Sequence, residues 1–214
     1  IDAPAICPGC ELLLHPIFTE KSSDNSSVLF PCSTPQVLSN AIIETVDAGA
    51  RIINLSLGLS TSSLVVYHEL EEAYDYARQH GVILIAASGN QGNIGYTSLL
   101  NHPWIIPVAA CDEQGRLASE SNFGPSIGIR GLMAPGMNII STSPGGQYTK
   151  MSGTSIAAPF VSGAIALLWS IFPKATAAEI THSIISGASN HHRRTIIPPI
   201  LNAEEAWKTL KAIY

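Results

Sequence analysis

Residues 82–87 read VILIAA, six positions without a single polar side chain. A strand covered on one face alternates apolar and polar residues. A strand without alternation is covered on both, as inside a parallel sheet. Short apolar runs and helical patterns alternate along the rest of the chain. Thr34-Pro35 opens a helix with a hydroxyl cap, followed by a proline where its missing N–H costs nothing. Val37, Leu38, Ala41, Ile42 and Val46 then recur at helical spacing until Gly49. Residues 51–57 (RIINLSL) predict a strand, and residues 63–80 a second helix with Leu70, Ala73, Tyr74 and Ala77 on one side. Residues 104–110, 131–134 and 138–141 predict further strands. Residues 154–172 predict a long helix stopped by Pro173, and 176–186 and 203–211 two more. This order implies an α/β fold with right-handed crossovers, in one domain over residues 1–214.

Composition narrows the function classes. The 214 residues are 46% hydrophobic and 13% charged, with net charge −5. That is ample for a core and excludes a disordered chain. The 11 Lys and Arg are scattered apart from Arg193-Arg194, so no basic stripe suits nucleic acid or anionic lipid. The apolar stretch 156–172 is too short to span a membrane. Pro159, Ser162 and Gly163 interrupt it, and a buried helix is expected. Four cysteines (Cys7, Cys10, Cys32, Cys111) leave compartment and redox state open. Cys7-Pro8-Gly9-Cys10 has the spacing of a zinc or redox motif, but no second pair exists and it precedes a strand-like run, 12–15. A local disulfide or two free thiols is expected, with Cys10–Cys32 a conceivable pair.

Three segments carry the chemistry. Ser155 lies in GTSIAAP, residues 153–159, where the long helix begins. A serine there faces unbonded backbone N–H groups and the positive end of the helix dipole, which can steady an oxyanion on an attacked carbonyl. Asn90 follows the strand 82–87 in Ala87-Ser88-Gly89-Asn90, at a strand's carboxyl end where a side-chain amide can point into a site. Residues 54–58 (NLSLG) end another strand at a glycine that leaves backbone open to an extended peptide. Taken singly, these features read as a helix cap and two turns.

Together, in this order, they resemble the subtilisin-like serine peptidases. The nucleophile motif of that family, Gly-Thr-Ser-x-Ala-x-Pro, is matched completely by residues 153–159. Ala134-Pro135-Gly136 matches a second landmark. The opening of the chain, Pro4 to Cys10 with Pro16-Ile17-Phe18, looks most like the peptidases that trim cyanobactin precursors. The resemblance implies a three-layer fold with a mostly parallel central sheet flanked by helices. It implies Ser155 as nucleophile and Asn90 as oxyanion donor. Ser56, Leu57 and Gly58 would form a substrate-binding strand edge, and Ala87, Ser88 and Gly89 a wall of the first specificity pocket. The partner would be a peptide or protein substrate, with no cofactor. No calcium site is expected, because the loops at 91–98 and 112–113 lack dense acid.

The same resemblance exposes a gap. The family's aspartate ends its first core strand, and its histidine opens a helix in His-Gly-Thr-His. Neither motif occurs here, and both would lie upstream of Ile1. His15 sits in the strand-like run with no carboxylate set to pair it. His68 and His80 belong to an outer helix, His102 precedes Trp104, and His182, His191 and His192 follow the nucleophile helix. None has the order of a triad base, and Asp2 is not a candidate. The chain is therefore expected to be a fragment, one chain of a two-chain enzyme, or a pseudoenzyme that binds peptide without cutting it. The start at Ile1 favours the first, and the retained Ser155 and Asn90 lean away from the last. The missing segment in cis or trans is an expected partner. Trp104, Trp169 and Trp207 are expected in the core. Prolines at 198 and 199, where the family has glycines, put the last loop's geometry in question.

Overall fold

The computed structural model describes residues 3–18, 32–58, 65–95, 98–188 and 195–214. The polar loops expected at 21–27 and 189–194, with His191 and His192, lie outside these residues. So do Asp2, Tyr96, Thr97 and the start of the helix predicted from Ser63.

Four strands pair in parallel in their chain order: β1 (Ile52–Leu55), β2 (Ile83–Ala87), β3 (Ile105–Cys111) and β4 (Leu132–Pro135). Every residue of β2 and β3 is buried, so both faces need a covering layer. On one face, α1 (Pro35–Asp47) and α2 (His68–Gln79) pack against Leu84, Ala86 and Ile105. On the other, α4 (Thr154–Ile171), α5 (Ala177–Gly187) and α6 (Ala203–Lys211) pack against Ile83, Ile85, Ile106 and Val108. Successive β2 side chains thus enter opposite cores, as the strand's two-residue period requires. The fold is three-layered α/β. A short helix, α3 (Pro125–Arg130), buries Ile127 in the α1/α2 core.

Helix α4 is long and apolar enough to cross a membrane by length and composition. It lies instead on the sheet, with Ala157, Val161, Ile165, Leu168 and Trp169 buried at helical spacing. Trp169 donates its indole N–H to the Ala175 carbonyl at 2.8 Å, and Trp104 donates to Val82 at 2.7 Å. Trp104 and Trp207 are partly buried against the α4 core.

Several expectations change. The second helix starts at His68, because Tyr67 is extended and the preceding Val65 and Val66 are exposed. The strand-like run 12–15 is not a strand: no described strand pairs with it, and Leu12 and Leu14 are 79% and 85% exposed. The segment is held at its ends, by Ile6 against Gly163 of α4 and by Ile17 against the α1/α2 core. The strand expected at 138–141 is β5 (Ile139–Ser143), and it belongs to a separate antiparallel hairpin with β6 (Gln147–Met151), not to the main sheet. The hairpin turns through Gly145 and Gly146, both at positive φ (79° and 73°), a conformation that favours glycine. The proline-bearing C-terminal stretch lies along β4: Met133 N–H donates to Pro199 O at 2.7 Å and Leu201 N–H to Met133 O at 2.8 Å. Cys7 and Cys10 form a disulfide, so Cys10 is not paired with Cys32. Burial raises the Cys111 thiol above its ordinary pKa.

Among the described residues, β1 pairs on one side only. Its free edge and the exposed Leu12 and Leu14 leave unpaired backbone and apolar surface in water. The isolated 214-residue chain is therefore expected to aggregate, or to melt below about 45 °C, the lower end for ordinary domains. Far-UV circular dichroism with light scattering checks this, and a cooperative melt well above that temperature contradicts it.

Helix α5 carries a pH-dependent cap. Thr176 Oγ1 accepts from Glu179 N–H, while Glu179 Oε2 accepts from the Thr176 N–H (2.8 Å), the Thr176 hydroxyl (2.7 Å) and the Tyr214 hydroxyl (2.8 Å). The Thr176 N–H is the main cause holding the Glu179 carboxyl below its ordinary value of 4.5. A carboxyl lowered on folding stabilises the fold above the unfolded-chain value, and the gain is lost as pH falls through the folded one. Wild type is expected to melt above Glu179→Gln at pH 7, with the two Tm values converging as pH drops below 4.5.

Candidate active site

The site is assembled where the N-terminus of α4 meets the carboxyl ends of β1 and β2. Gly153 precedes the helix with φ +138°, where a Cβ would lie 3.1 Å from Asn90 Nδ2. Its N–H donates to Gly136 O at 2.8 Å, and a Cβ on Gly136 would meet Gly153 O at 2.8 Å. Gly136 thus permits a backbone approach that a side chain would block, and Gly153 a φ that side chains rarely adopt.

Thr154 is fully buried and engages Asn90 twice. Its N–H donates to Asn90 Oδ1 at 2.8 Å and its hydroxyl to the same oxygen at 3.0 Å. The hydroxyl also accepts from Gly89 N–H at 3.1 Å. Because Oδ1 is consumed by Thr154, the orientation of the Asn90 carboxamide is set, and Nδ2 remains as a donor beside Gly153.

Ser155 follows, half-buried. Its carbonyl lacks the usual helical donor, because the residue four positions on is Pro159, which has no N–H. Ser56 supplies the missing donor, its hydroxyl reaching Ser155 O at 2.9 Å. Asn54 Nδ2 donates to Ser56 Oγ at 2.8 Å, and Ser162 donates to Asn54 Oδ1 at 3.0 Å. The end of β1 is thus bolted to the first turns of α4. Among the described residues, neither the Ser155 N–H nor its hydroxyl has a hydrogen-bond partner.

The other expected site residues surround this point. Ser56 and Gly58 are exposed and Leu57 is half-buried. Ala87 closes β2 and is buried. Ser88 is fully buried, its hydroxyl donating to Asn122 O at 3.1 Å, so its side chain turns away from the site. Gly89 is half-buried, with N–H and carbonyl both bonded.

No described histidine reaches Ser155. His15 does have a carboxylate partner, Glu44 Oε2 at 3.2 Å, contrary to expectation; folding brings the N-terminal segment against α1. His102 is buried: Trp104 N–H donates to its Nδ1 at 3.3 Å, and its Nε2 lies 3.4 Å from Asp75 Oδ1. Arg78, through its hydrogen bond above all, holds the Asp75 carboxyl below its usual range. This His–Asp pair was not anticipated, since Asp75 and His102 come from different elements. It stands beside the start of β3, the opposite end of the sheet from Ser155. Among the described residues no three His, Cys, Asp or Glu side chains gather as metal ligands.

The subtilase family model matches residues 29–202. A thermophilic serine proteinase of Bacillus sp. (strain AK1) is 41% identical over 131 residues, 61% of this chain and 31% of that protein. Subtilisin DY of Bacillus licheniformis is 36% identical over 146 residues, 66% of this chain and 51% of that protein. The chain therefore spans about a third to a half of these curated relatives. Among solved structures, the prenylagaramide maturation protease PagA superposes with TM-score 0.78 at 30% identity, over 91% of this chain and 71% of that one. The patellamide maturation protease PatA gives 0.75 at 32%, over 84% and 70%. Sheet order, the Gly153–Pro159 turn into α4 and a match over most of the length agree: the chain belongs to the subtilase family.

Proposed function

We propose that this chain is the nucleophile and oxyanion half of a subtilisin-type serine endopeptidase. Ser155 Oγ attacks a peptide carbonyl, the C–N bond breaks as the amine leaves, and water then hydrolyses the acyl-enzyme. The oxyanion accepts from Asn90 Nδ2 and the Ser155 N–H. The observation that carries the reading is the Asn90–Thr154 pairing, which spends Oδ1 on the residue before Ser155 and leaves Asn90 Nδ2 without a bond among the described residues. Ser56, Leu57 and Gly58 offer an edge along which an extended substrate can pair, and Ala87 to Gly89 border the pocket for the residue before the scissile bond.

The proton must be taken by a histidine held by an aspartate, and both come from a segment outside these 214 residues, in cis or in trans. PagA and PatA are named as maturation proteases of prenylagaramide and patellamide, which supports a precursor peptide as substrate here. A rival reading, a peptide-binding pseudopeptidase, is favoured by one observation: no described histidine or carboxylate bonds the Ser155 hydroxyl.

Fluorophosphonate labelling of Ser155 separates the two. The chain alone is expected to label several powers of ten more slowly than a complete subtilisin. Adding a polypeptide with the aspartate strand and histidine helix is expected to restore labelling and hydrolysis, and Ser155→Ala to abolish both. Peptide binding without cleavage after that addition favours the pseudopeptidase.

In the complemented enzyme, Asn90→Ala is expected to lower kcat about 10²- to 10³-fold, the loss known from subtilisin itself, with little change in KM. Steady-state hydrolysis of a chromogenic peptide reads it. An unchanged kcat removes Asn90 from the reaction.

A further inference from the structure

The loop that carries Asn90 is held by one buried side chain from elsewhere in the chain. Asn122 lies between β3 and α3 and is 6% exposed. Its Oδ1 accepts from the N–H groups of Gln91 (3.1 Å) and Asn93 (3.0 Å). Its Nδ2 donates to Ser88 O (3.1 Å) and Gln91 Oε1 (2.9 Å). Its own N–H donates to Gly89 O at 2.9 Å, and its carbonyl accepts from Ser88 Oγ at 3.1 Å. Both lone-pair sites of the amide oxygen and both protons of the amide nitrogen are used.

From Ser88 to Asn93, only Asn90 is not bonded to this stretch. Ser88, Gly89, Gln91 and Asn93 are tied to Asn122, and Gly92 N–H donates to Glu120 O at 2.7 Å. Asn90 bonds Thr154 instead. The fit is close: a Cβ on Gly89 would collide with the Asn122 carboxamide. Aspartate has the same shape but no donors, and would set a carboxylate against Ser88 O and Gln91 Oε1. Serine is too short to span the loop.

We propose that Asn122 is a positioning residue: its carboxamide sets the 88–93 loop so that Asn90 gives Oδ1 to Thr154 and keeps Nδ2 for the oxyanion. The functional half of this rests on the oxyanion reading above; the structural half does not.

Amide hydrogen exchange in the complemented enzyme, with only the 214-residue chain isotope-labelled and read residue by residue by NMR, tests the structural half. Asn122→Ala and Asn122→Asp are each expected to speed exchange of the Thr154 N–H at least tenfold, while Ile165 and Leu168 in the middle of α4 keep their wild-type rates. An unchanged Thr154 rate overturns the proposal. So does acceleration spread evenly along α4, which marks a general loss of fold.

The second measurement is kcat in the complemented enzyme, corrected by active-site titration. Asn122→Ala is expected to lower kcat at least tenfold with KM within twofold, and the double variant with Asn90→Ala to be no slower than Asn90→Ala alone. Independent, multiplying losses overturn the proposal. If Asn90→Ala itself leaves kcat unchanged, the oxyanion reading falls, and exchange at Thr154 alone decides for or against Asn122.

Discussion

The bond between the Asn90 carboxamide and the first turn of α4 is the contact on which the site depends. A helix N-terminus leaves its first N–H groups without intrahelical acceptors, and a buried helix start must find acceptors elsewhere. Here one orphan donor, Thr154 N–H, is satisfied by a side chain from the end of β2. The same bond fixes which way the amide faces. Stability and preorganisation are therefore one interaction at this point. Leaving Thr154 N–H unpaired in a buried setting costs about 1–3 kcal/mol, so the orientation is held before any substrate arrives.

Backbone exceptions at either end of that turn complete the arrangement. Gly153 adopts a φ that disfavours a side chain, and Gly136 closes against it from the end of β4. Pro159 removes one helical hydrogen bond, and the freed Ser155 carbonyl recruits Ser56 from the end of β1. A proline inside a helix is normally a cost. Here the lost bond is replaced by one that joins two layers and fixes the height of α4 over the sheet. The GTSIAAP sequence thus encodes a position as well as the proposed nucleophile.

Much of this was legible in the chain. The unbroken VILIAA run predicts a strand buried on both faces, and β2 is one. Thr34-Pro35 predicts a capped helix start, and Thr34 accepts from Val37 N–H. The elements that escaped detection lack a periodic signal. β6 (QYTKM) is exposed along its whole length, so no apolar alternation marks it. Its strand state comes from pairing with β5. The run 12–15 has the opposite fault: it is apolar enough for a strand but has no described partner. Ser155 and Asn90 stood out because local motifs carry them. Asn122 and the His102–Asp75 pair did not, because their roles arise from contacts between elements that no local pattern encodes.

Two physical demands divide the chemistry of the proposed reaction. Transition-state charge is met by dipoles that must already point the right way, because turning them during the reaction would consume what they supply. On the proposed reading that demand falls here on a loop, residues 88–93, which is the least rigid kind of element to carry it. Loop backbone has few internal bonds of its own, and Asn122 supplies bonds from outside at both ends of the segment. Proton transfer makes a different demand, for a base whose charge changes during the cycle, and the proposed reaction would draw it from other elements. Rigid dipoles and a titrating base are thus separable physical requirements. A chain can hold the first in finished form while its base belongs to another segment.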